Sequence, residues 1–154
     1  GNYPYITSSN TLPYSACSLG FPPQLIKNIY GAVKIYDTRV GTDPDFPESL
    51  LDNNELAIIS ELGEEYGVTT KRRRKVNWLN INKLIKSINI SGTTILVVSK
   101  IDILKKTNLF KYYYNSTLVT YNNYDEMEYH IKKILSTECP LLKQIIFSNN
   151  PHTI

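Results

Sequence analysis

The chain has 154 residues, 42% of them hydrophobic and 20% charged, with 17 Lys+Arg against 14 Asp+Glu. That is one domain of ordinary globular composition; no stretch nears the roughly 20 apolar residues of a membrane span and no basic-then-apolar leader opens it, so no membrane association is expected. Five cations are consecutive, Lys71-Arg72-Arg73-Arg74-Lys75, so the other 12 face 14 acidic residues, and a balance of −2 outside this focus argues against an extended nucleic-acid footprint.

Residues 1–22 have a loop composition in which Thr7-Ser8-Ser9-Asn10-Thr11 forms a polar run. Leu25, Ile26, Ile29, Val33 and Tyr36 fall at helical spacing behind Pro22-Pro23, which predicts a helix over about 23–36. Asp43-Pro44-Asp45-Phe46-Pro47 breaks the chain. Leu56, Ile59 and Leu62 predict a helix over about 52–62, and Asn80 caps another through Ile88 that closes near Gly92. Residues 93–98 read as a strand buried on both faces. Tyr112–Tyr121 reads as a strand pair around Asn115-Ser116, with Tyr112-Tyr113-Tyr114 as sheet packing. Asp125–Leu135 reads as a helix and Leu142–Phe147 as a last buried strand. This order predicts an α/β fold with a mainly parallel sheet and flanking helices. Cys17 and Cys139 belong to no CxxC or Cys/His cluster, which predicts free thiols and a cytoplasmic setting. His130 and His152 have no evident catalytic partner and read as structural or exposed.

Three segments carry possible chemistry. Lys100-Ile101-Asp102 follows the strand at 93–98, where an α/β sheet empties into a ligand-binding polar loop. An aspartate there can accept from the paired N1 and N2 donors of guanine, which adenine lacks, while a lysine stem covers the ring. Alone, a Lys-x-Asp is also an ordinary strand cap. Gly67-Val68-Thr69-Thr70-Lys71-Arg72-Arg73-Arg74-Lys75 presents a dense array of donors to carboxylate or phosphoryl oxygens, or else is a solvated basic loop. Thr7–Thr11 could hold a phosphate through hydroxyls and backbone N–H groups, or be a plain polar loop.

Taken in order, the block from Gly1 to Thr11, Tyr36-Asp37-Thr38-Arg39-Val40-Gly41, the block from Tyr66 to Arg74, Lys100-Ile101-Asp102 and Ser148-Asn149-Asn150-Pro151 resemble the adenylosuccinate synthetase family. The resemblance implies a ligase of purine biosynthesis that joins IMP and L-aspartate at the expense of GTP, with Mg²⁺, as a cytoplasmic homodimer binding neither nucleic acid nor membrane. By position, Thr7, Val40 and Arg72 would contact IMP. Val68, Thr69, Thr70, Lys71, Arg72, Arg73 and Arg74 would form the loop over aspartate. Arg74, Lys100, Ile101, Asp102, Ser148, Asn149 and Asn150 would face GTP. The family's Gly-rich phosphate loop, its aspartate general base that also binds Mg²⁺ and its histidine general acid lie in an N-terminal half, and the seven glycines here form no such loop. Residues 1–154 therefore read as the C-terminal portion of an incomplete P-loop-NTPase-like, GTP-dependent ligase domain, inactive alone and holding neither catalytic residue nor metal ligand.

Lys71 stands where the family is expected to have a glycine; if the position needs a positive φ, a side chain there costs about 1 kcal/mol. The stretch from Asp102 to Ser148 is shorter than in long bacterial members. A viral relative that amidates dGMP, sometimes with ATP, a non-catalytic interaction module and a nucleic-acid binder are the competing readings.

Overall fold

One stretch of chain, residues 30–39, serves two sheets. The computed structural model describes residues 19–69 and 71–150. Strand β1 (Tyr30–Lys34) pairs in parallel with β4 (Ile95–Ser99), which pairs in parallel with β7 (Gln144–Phe147), giving a three-stranded parallel sheet in the order β1-β4-β7. Past Lys34 the chain makes one bend at Ile35, whose N–H still donates to Ser99 O at 3.0 Å. It then enters β2 (Tyr36–Arg39) of a four-stranded sheet, ordered β2-β3-β5-β6 with β3 (Lys75–Asn80), β5 (Phe110–Tyr114) and β6 (Thr117–Tyr121). There β3 and β5 run parallel while the outer pairs are antiparallel. The α/β class, the parallel sheet and its flanking helices are as expected; the second, mixed sheet was not.

Among the described residues, four helices complete the layers: α1 (Asn54–Leu62), α2 (Ile81–Ser91), α3 (Ile101–Thr107) and α4 (Tyr124–Glu138). Three are capped by asparagine: the side chains of Asn53, Asn80 and Asn123 accept from the N–H groups of Leu56, Lys83 and Glu126 at 3.0, 3.1 and 2.8 Å. Each satisfies a first-turn donor that lacks an intrahelical partner. Helix α2 ends at Gly92, whose φ of 67° is the left-handed stop that glycine adopts without strain. The buried faces of α1, α2 and α4 (Leu56 and Ile59; Ile81, Leu84 and Ile88; Met127, Ile131 and Leu135) meet Val98, Leu104, Trp78 and Tyr112 in one apolar core.

The helix expected over 23–36 does not form. A 3-10 turn occupies Pro23–Leu25, and Tyr30–Arg39 is extended. The apolar spacing fits a helix, but every residue of β1 gains a partner on β4, and tertiary pairing outweighs a weak local preference. The helices at 52–62, after Asn80 and at 125–135, the strands near 93–98 and 142–147, and the hairpin at 112–121 are all present within a few residues. His130 stacks between Tyr121 and Tyr129, and Cys139 is a buried free thiol, both structural as expected. Cys17 and His152 lie outside the described residues. No helix among the described residues is long and apolar enough to cross a membrane.

Candidate functional site

The parallel sheet delivers three strand ends to one edge. Chain direction makes Lys34, Ser99 and Phe147 the carboxyl ends of β1, β4 and β7, and the bond from Ser148 N to Val98 O, 2.8 Å, seats the Ser148–Asn150 segment beside the exit of β4. Open α/β sheets bind ligands at this edge. Lys100 leaves β4 there in a left-handed conformation, φ 67°, and α3 starts at the next residue. The polar loop expected after the strand is thus a single residue. Asp102 lies in the first turn of α3, with Lys106 3.7 Å away across an accessible pair. The Ile101 side chain is buried in the core, which leaves its backbone as the part at the edge.

The arginine segment is a hairpin laid against the same edge. Arg74 N donates to Glu65 O at 2.8 Å, Tyr66 bridges Arg73, and Gly67 N donates to Arg72 O at 2.8 Å. Lys71 N then donates to Gly67 O at 2.9 Å, and Lys71 has φ 54°. The position does need the left-handed region, so the lysine carries the strain a glycine would avoid. Val68 is 82% exposed at the tip. Glu64, Tyr66, Gly67, Val68 and Lys71 border an open concavity of about 620 Å³. Thr70, and Thr7 with the rest of its polar run, lie outside the described residues.

The five cations do not act as one patch. Lys75 is buried in β3, donating to Phe46 O at 3.0 Å and pairing with Glu48 at 2.6 Å. Arg73 turns back onto α1, its Nε donating to Ser60 Oγ at 3.3 Å. Arg72 is exposed and adds to the charges that hold the Glu48 carboxyl below its ordinary range, after the hydrogen bond from Lys75. Arg74 points to the sheet edge, where Nη1 donates to Glu65 Oε2 at 3.2 Å. Its Nε is buried and meets no acceptor among the described residues. Val40 leaves β2 just past Arg39, which faces Lys75, and is 43% exposed beside the hairpin's base.

Glu65 is the junction of these parts, and nothing in its local sequence flagged it; five residues separate it from the basic run at Lys71. The residue is 2% exposed. Lys34 Nζ donates to both carboxylate oxygens at 2.7 Å and Tyr36 Oη donates to Oε1 at 2.9 Å. Burial pushes the Glu65 carboxyl up, but the bonds from Lys34 and Tyr36 and the charges of Lys34 and Lys100 together hold it below the usual carboxylate range. Tyr36 is pushed up by burial first and by the Glu65 charge second, so it stays a donor. Lys100 Nζ donates at 3.0 Å to Gly63 O, two residues before Glu65. A Cβ on Gly63 would sit 2.4 Å from Tyr36 Oη, so only glycine lets the backbone pass this hydroxyl. Lys34, Tyr36, Gly63 and Glu65 therefore join Arg74 to Lys100.

The adenylosuccinate synthetase family model matches residues 1–139. The chain is 48% identical over 112 residues to adenylosuccinate synthetase of Yarrowia lipolytica, covering 72% of the chain and 26% of that protein. With the Phocaeicola vulgatus adenylosuccinate synthetase it shares 41% identity over 133 residues, 83% of the chain and 31% of the relative. Among solved structures, the fully ligated adenylosuccinate synthetase of Plasmodium falciparum superposes with a TM-score of 0.70 at 25% identity, over 98% of the chain and 44% of that structure. The chain thus spans between a quarter and a third of these curated relatives' length. Matched over 139 of its 154 residues, the chain belongs to the adenylosuccinate synthetase family of ligases.

Proposed function

We propose that the chain is the C-terminal portion of a GTP-dependent ligase joining IMP and L-aspartate into adenylosuccinate, and that it supplies the guanine-, aspartate- and IMP-facing loops. The observation that carries this reading is the arginine hairpin resting on the carboxyl edge of the parallel sheet, tied to Lys34 and Lys100, at the edge where Ser148 also bonds β4. In this reading the Asp102 carboxylate accepts from N1 and N2 of guanine. An exposed pair with Lys106 contributes little and leaves it available. The Lys100 amine is engaged by Gly63 O, so its stem rather than its charge covers the base. Ser148, Asn149 and Asn150 flank the same base, and Ile101 contributes backbone.

Val68, Thr69, Thr70 and Lys71 close over aspartate, with Arg73 bracing the loop on α1. Arg72 spans aspartate and IMP, Val40 and Thr7 approach the IMP ribose and phosphate, and Arg74 meets the GTP phosphates. Phosphoryl transfer asks mainly for positioning and for compensation of charge on the moving oxygens, which guanidinium groups provide. A loop that closes over the amino acid also excludes water. Mg²⁺ would neutralise phosphate oxygens in the complete enzyme. Among the described residues no three His, Cys, Asp or Glu side chains converge as a metal site, so the described residues by themselves do not fit the ion. A cytoplasmic homodimer belongs to the same reading.

The test joins this chain to the N-terminal portion of the Yarrowia relative and measures phosphate release. Release should require IMP, aspartate and GTP together, and Asp102→Asn should erase at least ~10-fold of the preference for GTP over ATP in kcat/KM. Turnover of dGMP in place of IMP would move the reading to the amidating viral relative. A folded hybrid with no turnover on either nucleotide would leave a non-catalytic module.

A further inference from the structure

Arg74, the cation aimed at the sheet edge, is held by a group that the family motifs in this chain do not include. Its backbone N–H is bonded to Glu65 O and its Nη1 to Glu65 Oε2, so one residue fixes both the root and the head of the side chain. Glu65 is itself immobilised: its N–H donates to Ser60 O at 2.9 Å on α1, and its carboxylate takes Lys34 from β1 and Tyr36 from β2. Three cations, Lys34, Arg74 and Lys100, converge here around one buried carboxylate. Without Glu65 the cations repel one another across a partly desolvated edge. With it they pack together, yet the cluster of Lys34, Glu65, Arg74 and Lys100 remains positive by two charges, which suits an anionic ligand.

We propose that Glu65 is a positioning residue for Arg74: by accepting from Nη1 while Lys34 and Tyr36 lock the carboxylate, it directs the remaining guanidinium donors toward a polyphosphate at the carboxyl edge. This role rests on the reading of Arg74 as a phosphate ligand. Arg74 spends one of its five donors on Glu65, and its side chain stays 30% exposed, which leaves further donors for an incoming anion. A glutamine at position 65 would keep an oxygen for Lys34 and Tyr36 but offer Arg74 either a neutral acceptor or an NH₂ with no lone pair. Its consequence falls on Arg74, while Lys100 keeps its own anchor on Gly63 O.

The contrast between a nucleotide and its nucleoside separates positioning from general support of the fold. Calorimetric titration of the full chain with GTP, ATP and guanosine is carried out for wild type, E65Q, E65D, R74Q and the E65Q/R74Q double variant. E65Q is expected to lose ~10-fold in affinity for GTP and to hold guanosine within ~2-fold, E65D to recover part of the loss, and the double variant to bind GTP no more weakly than R74Q. Equal losses for GTP and guanosine, an unchanged GTP affinity, or additive losses in the double variant would overturn the role of Glu65. If E65Q does not fold, E65D is judged by the same two-ligand contrast. A wild type that binds GTP no more tightly than guanosine removes the reading of Arg74 as a phosphate ligand and this inference with it. A wild type that prefers GTP while E65Q stays unchanged removes the inference alone.

Discussion

Asp37 shows how a single side chain can be tuned against its own stability. It faces Asn77 across the β2–β3 ladder, and burial pushes its carboxyl up to about 6, despite the bond from Asn80 N–H and the charge of Lys83, with the Asp45 charge adding to the rise. The folded state thus binds this proton more tightly than the unfolded chain, whose carboxyl titrates near 3.8. The associated stability is full below the unfolded value and is lost as pH rises through about 6. Asp37→Asn keeps an acceptor for the Asn80 N–H and has nothing to ionise. It should be more stable than wild type at pH 7 by roughly 1–2 kcal/mol and equal to it near pH 3.5, read from urea unfolding across that range. Glu65 runs the other way: its lowered carboxyl stabilises above the ordinary value of 4.5 and that contribution fades as pH falls through its folded value. Neither was legible in the residues alone, because Asp37 is shifted by burial in the fold and Glu65 by partners at least 29 positions distant. The strain at Lys71 was legible, since a lysine standing at an expected glycine position names the backbone conformation to look for.

At the scale of elements, the Asn80 cap was a dependable signal. Asn80 followed by an apolar period of 3.6 located α2 to the residue, and Gly92 closed it. Removing the cap in Asn80→Ala leaves Lys83 N–H without its acceptor and should cost about 1 kcal/mol, seen as a lower denaturation midpoint at unchanged slope. The bond from Asn80 N–H to Asp37 survives that change, so the pH profile should keep its shape. Spacing failed where pairing decides. Tyr30–Lys34 has a helix-like pattern yet lies in register on β4, and Lys75–Asn80 was hidden because its first residue belongs to a run of cations. Helix α3 has seven residues, fewer than two turns of hydrophobic period, and reads as a loop for that reason.

For the whole molecule, two sheets with different pairing rules share one core, which predicts one unfolding transition rather than two. Trp78, the single tryptophan, is 3% exposed on β3 of the mixed sheet, while the far-ultraviolet signal averages both sheets and all helices. Fluorescence and circular dichroism should therefore give coincident urea curves, and separated midpoints would show that the sheets unfold independently. The loops of the candidate site were visible as motifs in order along the chain. Their common support was not, since Lys34 acts through its amine, Gly63 through a carbonyl and a missing Cβ, and Glu65 through a buried carboxylate, none of which a spacing rule marks.

The unbroken passage of residues 30–39 through both sheets has a further consequence. Lys34, clamped on Glu65, and Val40, beside the hairpin's base, are separated by six peptide links of a nearly extended chain, a span of at most roughly 20 Å. That stretch is a built-in ruler. Packing can rock the two sheets against each other, but covalent geometry caps how far apart these two positions can move. Only a change in chain length could reset that limit, and a change of one residue would also turn one strand's faces inside out.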